Sequence, residues 1–361
     1  MNRPLRVAVV GVGVMGRHHA NVYRMLPDAE LVGIVEPDAR RRRDAELQFG
    51  CPVFTDTEAL LASTHLDAAS IAAPTTVHHT LTEQLLAAGV HALVEKPVAT
   101  QVDDARRLAA MSRERGLILQ VGHITRFFRA IERLRAEVDR PYLIEARRLS
   151  PNGRIQDVGV VLDLMIHDID IVLGLVRQPI IEVAVAGHTV GDGPHEDMCA
   201  AQVRFADGCV ARFLASRVAP DAERSLVVAE AHRTFRLDFA KDPHTEMTVY
   251  RPAPTEGGVG PQNRNGAAHD DDIGSGTASL TSHILVDRHV VFEDNPLKKQ
   301  LAHFIARIRG AADPIGTLED DIGSLSLAQE LLTRLQQQRG APAPVAAALG
   351  LASARALEPA R

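Results

Sequence analysis

The stretch Arg6-Val7-Ala8-Val9-Val10-Gly11-Val12-Gly13-Val14-Met15-Gly16-Arg17 decides how the first half of this chain folds. A short apolar run leads into three glycines, and Gly13 to Leu26 read as a helix. In a strand–turn–helix of this kind the first glycine permits the tight turn. The second lets the backbone approach a pyrophosphate, and the third lets the helix pack on the sheet. The helix N-terminus adds N–H groups and partial positive charge for the phosphates. Three glycines alone also occur as a plain structural turn. What lifts them here is Glu36, which ends a second apolar run, Leu31 to Val35, about twenty residues on. A carboxylate there accepts hydrogen bonds from the adenosine ribose and repels a 2′-phosphate. The expectation is a dinucleotide held by Gly11, Gly13, Val14, Met15, Gly16 and Glu36, and NAD in preference to NADP. Arg40 to Arg43 argue the other way, since arginines clamp phosphates. They begin four residues later, inside a helix, where at most one side chain reaches the ribose.

Outward from this motif, apolar runs alternate with helical stretches. Asp38 to Phe49, Thr76 to Ala88 and Val102 to Arg115 read as helices. Ala68 to Ala72, His91 to Val94 and Ile118 to Val121 read as strands. Such alternation means βαβ units and a parallel sheet, so residues 1–122 form a dinucleotide-binding domain of Rossmann type. The character then changes. Pro141 to Leu149, Ile180 to Val185, Cys199 to Phe205, Cys209 to Arg217, Thr234 to Phe239 and Met247 to Tyr250 read as strands. In Phe235-Arg236-Leu237-Asp238-Phe239 apolar and charged residues alternate strictly, as in an antiparallel sheet with one wet face. One strongly apolar helix, Val160 to Leu175, interrupts the strands. A Gly-, Asn-, Asp- and Ser-rich loop spans Ala253 to Ser282. After it come a strand, Val286 to Phe292, and two helices. The first, Asn295 to Arg309, has Pro296 at its start and is expected to pack back on the first domain; the second is Leu318 to Gln338. The fold class is thus α/β: the Rossmann domain, then an α+β domain over residues 123–338 with a large, open, mostly antiparallel sheet. That open sheet suits a homodimer or homotetramer. Residues 339–361 have little to bury and read as a flexible tail.

Lys96 follows the strand His91 to Val94 within Glu95-Lys96-Pro97, so its amine belongs at the sheet edge where ligands bind in open α/β folds. Pro97 biases it toward an extended backbone. The loop Pro74 to His79 lies at the same edge, where Thr75 and His78 are candidates for the nicotinamide ribose; a capped helix start at Thr75 or Thr76 is the equal alternative. Asp163, His167 and Asp170 are spaced i, i+4 and i+7 on the otherwise apolar helix, which places them on one face. Charges on a buried helix are costly unless they are paired or face a wet cleft. Three on one stripe point to a site, with an internal salt-bridge network as the alternative. A metal site is disfavoured, because no second histidine falls at i±3 or i±4 of His167. His123, Arg126, Arg147, Arg148, Arg154 and Arg217 lie near predicted element ends; each is a candidate for a phosphate or hydroxyl, with a plain surface or helix-end role as the commoner alternative. His18 and His19 read as helix surface or packing, and His195-Glu196-Asp197 as a polar turn.

The chain has 361 residues, 45% hydrophobic and 24% charged, with a net charge of −6. That excludes the basic footprint of a nucleic-acid binder. Cys51, Cys199 and Cys209 are too few and too scattered for a disulfide framework or a zinc site, which suits a reducing cytoplasm. No apolar run reaches the roughly 18 residues of a membrane span, and no leader-like segment precedes the first strand.

Taken in order, Gly11-X-Gly13-X-X-Gly16, Glu95-Lys96-Pro97 and Asp163-X3-His167-X2-Asp170 resemble the glucose–fructose oxidoreductase/inositol dehydrogenase family, from about Arg6 to Leu335. The resemblance implies that Lys96, Asp163 and His167 are catalytic, with Glu95, Lys96, Pro74, Thr75 and His78 beside the cofactor. A finer likeness runs through Val121-Gly122-His123-Ile124-Thr125-Arg126-Phe127, Ile144 to Leu149, Asp157 to Asp170 and Ala215-Ser216-Arg217. These segments are similar to the UDP-N-acetylglucosamine 3-dehydrogenase branch. That branch implies oxidation of the sugar C3 hydroxyl, a UDP-sugar held by His123, Arg126, Arg148, Asp163, His167 and Arg217, and a downstream pyridoxal-phosphate aminotransferase feeding lipid A synthesis. A free polyol, UDP-N-acetylglucosaminuronate and a non-catalytic nucleotide-sensing regulator remain the alternatives.

Overall fold

Six short runs of the first half pair into one parallel sheet: β1 (Leu5–Val10), β2 (Ala29–Val35), β3 (Val53–Phe54), β4 (Ala68–Ile71), β5 (His91–Glu95) and β6 (Leu119–Gly122). Their order is β3-β2-β1-β4-β5-β6. In this computed structural model residues 3–151, 157–190, 192–240, 244–252, 284–292 and 295–339 are described. Helices α1 (Val14–Met25), α2 (Ala39–Phe49), α3 (Thr57–Ser63), α4 (His78–Ala87) and α5 (Val102–Glu114) connect the strands. Both faces are covered, so the strands carry continuous apolar runs: Val7, Ala8 and Val9 are wholly buried. From β1 the chain winds out to β3 and returns on the far side as β4. The loops leaving β1 and β4 therefore diverge and open the crevice where dinucleotides bind in such sheets.

The second half carries α6 (Arg129–Glu137), β7 (Leu143–Leu149), α7 (Ile166–Leu175), β8 (Ile180–His188), β9 (Met198–Phe205), β10 (Val210–Ser216), β11 (Glu223–Glu230), β12 (Arg233–Asp238), β13 (His244–Pro252), β14 (Ile284–Phe292), α8 (Pro296–Ile308) and α9 (Leu318–Arg339). Its eight-stranded sheet has the order β14-β13-β12-β11-β7-β10-β9-β8. Every pair is antiparallel except β7 with β10. On α8, Leu297, Leu301, Phe304 and Ile305 join the apolar cluster of Val7, Val9, Tyr23 and Ile34, so this late helix covers a face of the first sheet. The long loop expected at Ala253 to Ser282, Arg154 and the tail from residue 340 lie outside the described residues.

One expectation needs correction. The helix predicted over Val160 to Leu175 is not uniform: Val161–Met165 is a π-helical segment, and regular α-helix begins at Ile166. A π turn closes i→i+5 bonds and so shifts every later side chain around the axis. Asp163, His167 and Asp170 are consequently not stacked as a plain i, i+4, i+7 stripe. β3, α3, α6 and β11 also went unread. β3 has only two residues, too few to show a period. In β11 the apolar part is the run Leu226 to Ala229, which periodicity alone does not separate from a helix.

Candidate active site

The loop after β1 has the shape of a phosphate cradle. Gly11 adopts φ 89° with its α-carbon against the Ala72 carbonyl, where a Cβ would sit 2.8 Å from that oxygen. A Cβ on Gly16 would come within 1.8 Å of the Gly11 carbonyl, so only glycine lets α1 lie this close to its turn. Gly13 differs: nothing lies within 4 Å of where its Cβ would be, and no side chain caps the N-terminus of α1 there. That open space beside uncapped N–H groups is what a pyrophosphate needs. Glu36, 4% exposed, accepts from the N–H groups of Val12 and Asp38, both at 3.1 Å, which fixes its carboxylate beside the glycine loop. Arg42 donates its guanidinium to the carbonyls of Glu36 and Pro37, at 3.0 and 2.5 Å, and so turns toward its own backbone.

At the other end of the crevice the two halves of the chain meet. Lys96 Nζ donates to the Asp163 carbonyl at 2.6 Å and to its carboxylate Oδ1 at 3.2 Å. Asp163 sits in the π-helical segment, and a wide turn opens backbone carbonyls to outside donors. His167 lies half-buried beside them, and its Nδ1 has no hydrogen-bond partner among the described residues. Asp163 thus holds Lys96; it does not hydrogen-bond His167. Burial pushes the His167 pKa well below its ordinary value, and the charges of Lys96 and Arg148 push the same way. The imidazole is therefore neutral at neutral pH. Glu95 faces away from Lys96 toward α1, where the His19 ring nitrogen Nε2 lies 3.0 Å from its Oε1. Burial alone would raise the Glu95 pKa, but the His19 hydrogen bond and the nearby cations hold it below the usual range.

Several predicted contacts are redirected. His78, expected at the nicotinamide ribose, is 1% exposed and points inward. Its ring nitrogens lie 2.7 Å from the Pro97 carbonyl and 2.9 Å from the Ala73 carbonyl, tying the loops after β4 and β5 together from behind. Thr75 caps no helix with its side chain; its N–H donates to Asp157 at 2.8 Å, across the crevice, while Pro74 is exposed at the loop's outer edge. The arginines expected to hold a diphosphate each face an internal acid. Arg148 pairs with Asp168 at 2.7 Å, and Arg217 with Asp197 at 2.6 Å. Arg126, 5% exposed, bridges Asp170 at 2.5 Å and Asp321 at 2.6 Å. For Asp170 the salt-bridge alternative is the one observed. His123 is also buried, 3.9 Å from Asp170 and 3.7 Å from Asp321. These three side chains are spaced as metal ligands would be, and the cation between the two carboxylates is the Arg126 guanidinium. Burial pushes the His123 pKa down to about 4, against the pull of Asp170. Burial, with Asp170 adding to it, pushes Asp321 up to about 7 despite Arg126.

Sequence reasoning gave His19 only a surface or packing role and assigned no role to Asp157 or Asp321; their partners lie 76, 82 and 195 residues away. Only His19 carried a signal: three residues after Gly16, it shares that glycine's inward face of α1.

A glycine cradle at the sheet's switch point, an ordered carboxylate beside it, and a lysine–aspartate pair beside a neutral histidine are the features of a nicotinamide-dependent oxidoreductase. Residues 5–123 match the oxidoreductase family with an NAD-binding Rossmann fold, and residues 130–236 match the GFO/IDH/MocA C-terminal domain. UDP-N-acetylglucosamine 3-dehydrogenase of Acidithiobacillus ferrooxidans is 36% identical over 258 residues, 71% of this chain and 80% of that protein. The solved structure of UDP-N-acetylglucosamine 3-dehydrogenase GnnA from the same organism superposes with a TM-score of 0.77 at 27% identity, covering 93% of this chain and 99% of that one. The fold also matches GenD2 from gentamicin A biosynthesis, solved in complex with NAD, with a TM-score of 0.75 at 21% identity, covering 94% and 96%. The chain belongs to the GFO/IDH/MocA oxidoreductase family, and its cofactor is NAD.

Proposed function

We propose that this enzyme oxidises the C3 hydroxyl of UDP-N-acetylglucosamine to the 3-keto sugar. The observation that carries the reading is the Lys96–Asp163 pair beside a neutral His167 whose Nδ1 has no hydrogen-bond partner among the described residues. The likeness to the Acidithiobacillus dehydrogenase supports the choice of sugar. NAD, when bound, takes up the hydride leaving the alcohol carbon. His167 accepts the hydroxyl proton, for which its lowered pKa keeps it in the basic form. Lys96 donates a hydrogen bond to the same oxygen and stabilises the charge developing there, while Asp163 holds the amine in place. Gly11, Gly13, Val14, Met15, Gly16 and Glu36 bind the adenosine and phosphate end, with Pro74 and Thr75 at the rim nearer the nicotinamide.

The product is a ketone next to an acetamido carbon, suited to consumption by a pyridoxal-phosphate aminotransferase that sets an amine at C3 for lipid A synthesis. Such a nucleotide-sugar reaction belongs in the cytoplasm. Ile284, Leu285, Val286 and Val290 on β14 are each 44% exposed or more, which supports assembly of two or four copies through the large sheet.

The test is NADH absorbance with purified protein, NAD and UDP-N-acetylglucosamine, with a glutamate-dependent aminotransferase present to remove the ketone. A rise that requires the nucleotide sugar supports the reading. A rise with a free polyol or with the uronate instead overturns the substrate and keeps the chemistry.

A further inference from the structure

The segment that carries Asp163 and His167 begins in the protein interior. Val158 and Val160 are 4% and 0% exposed. A helix starting there leaves its first N–H groups without intrahelical acceptors, and no side chain of the segment caps them. One residue from elsewhere takes two of them. Val160 N–H donates to the Glu196 carbonyl at 3.1 Å, and Val161 N–H donates to the Glu196 carboxylate Oε1 at 3.0 Å. Glu196 is itself 5% exposed. The contact leaves no room for a side chain at position 159, where a Cβ would lie 2.1 Å from Oε1. The next residue extends the grip. Asp197 accepts from Arg217 Nε at 2.6 Å, and Arg217 Nη1 donates to the Val158 carbonyl at 3.0 Å. The backbone is thus held at 158, 160 and 161, immediately before the wide turn in which Asp163 meets Lys96.

We propose that Glu196 is a positioning residue for the dehydrogenation. By fixing where the π turn starts, it sets the placement of Asp163 against Lys96 and of His167 one turn later. The inference rests on the reading of those three groups given above. It needs an acceptor at Oε1, not a charge, so glutamine serves and alanine does not. A misplacement of about 1 Å at reacting groups costs on the order of 100-fold in rate, and the π turn transmits any slip at Val161 directly to Asp163.

The test uses the full chain and the variants E196Q, E196A, G159A, G159A/E196A and H167N. Turnover of UDP-N-acetylglucosamine, NADH affinity from nicotinamide fluorescence, and hydrogen exchange at the Val160 and Val161 amides are measured together. E196A should lower kcat on the order of 100-fold with NADH affinity near wild type, and E196Q should restore it to within about tenfold. The Val161 amide should exchange faster in E196A and keep its protection in E196Q, while the Val160 amide, bonded to the carbonyl of residue 196, serves as the internal control. The methyl group that G159A introduces collides with the Glu196 carboxylate, so this variant should slow turnover alone and add little once Glu196 is replaced by alanine. Should E196A not fold, a slow G159A beside a near-normal E196Q makes the same contrast. Normal kcat in E196A or G159A, with H167N inactive, would overturn the positioning role and spare the site. Normal turnover in H167N would overturn both.

Discussion

A methyl group at position 16 and one at position 13 should fail in opposite ways. Alanine at 16 places its Cβ 1.8 Å from the Gly11 carbonyl, and real Cβ contacts begin near 3.0 Å, so α1 must back off by at least the 1.2 Å difference. Overpacking of this kind costs about 1–3 kcal/mol, which lowers the melting temperature of the cofactor-free protein by roughly 2–12 °C. Alanine at 13 meets no protein atom within 4 Å and keeps an allowed φ of −63°. The cofactor-free protein should therefore melt within about 0.5 kcal/mol of wild type. Its methyl, however, projects into the open space beside the uncapped N-terminus of α1, the place proposed for the pyrophosphate. NAD affinity should fall about 10- to 100-fold, or about 1.4–2.8 kcal/mol. Melting with and without NAD separates the two. At a hundred times the wild-type Kd, bound NAD stabilises wild type by about 2.7 kcal/mol. Gly13→Ala should keep only about 0.4–1.4 kcal/mol of that increment from a normal starting point, and Gly16→Ala should start low. Gly13→Ala binding NAD within about twofold of wild type would refute the placement of the phosphates.

Three further outcomes follow from the other charged groups. Lys96→Met should lower kcat about 10²- to 10³-fold with little change in NAD affinity. The same variant should move the acid limb of the kcat/KM profile upward. Burial and then the Lys96 charge hold His167 low, activity is lost as pH falls through that lowered value, and removing the cation lets it rise; a limb that stays put or falls argues against His167 as base. Arg126→Ala leaves Asp170 and Asp321 facing each other without their buried cation and should destabilise the fold by about 3–5 kcal/mol. A variant that melts normally and raises only the KM for the nucleotide sugar would return Arg126 to substrate binding. The Asp321 carboxyl is raised from 3.8 to about 7 in the folded chain, so its contribution to stability is full below about 3.8 and lost as pH rises through about 7. Asp321→Asn should flatten that decline, read as urea midpoints at about pH 5 and about pH 8; an unchanged slope would assign the decline to another group.

The parts of this molecule that were legible in the sequence are those whose chemistry is local. Gly11 and Gly16 declare a turn because the constraint on each comes from atoms a few residues away or just past one neighbouring strand, while Gly13 leaves open the space beside the start of α1. The alternation in β12 and the continuous apolar runs of β1 and β5 report one wet face or none. The spacing of Asp163, His167 and Asp170 misled because it assumed a constant period, and the π turn at Val161–Met165 breaks it. Nothing in Val-Leu-Asp-Leu-Met announces a wide turn. It is stabilised from outside, by Lys96 on one side and Glu196 on the other.

The ion pairs of the arginines were illegible for a related reason. A guanidinium near a predicted strand end advertises a phosphate site only if no carboxylate reaches it first, and Asp168, Asp197 and the Asp170–Asp321 pair do reach. Those acids come from α7, α9 and the approach to β9, elements whose positions relative to β7 and β10 are set by tertiary packing. Yet the diversion has its own logic. Asp168 and Asp170 follow His167 within one turn of α7, and each is anchored by an arginine outside α7: Arg148 on β7, and Arg126 just after β6. With Glu196 holding the start of the segment and two ion pairs holding its sequel, His167 keeps an Nδ1 without a hydrogen-bond partner among the described residues and is still held in place. A base that must meet a substrate proton needs both conditions, and the internal pairing of the arginines helps to meet the second.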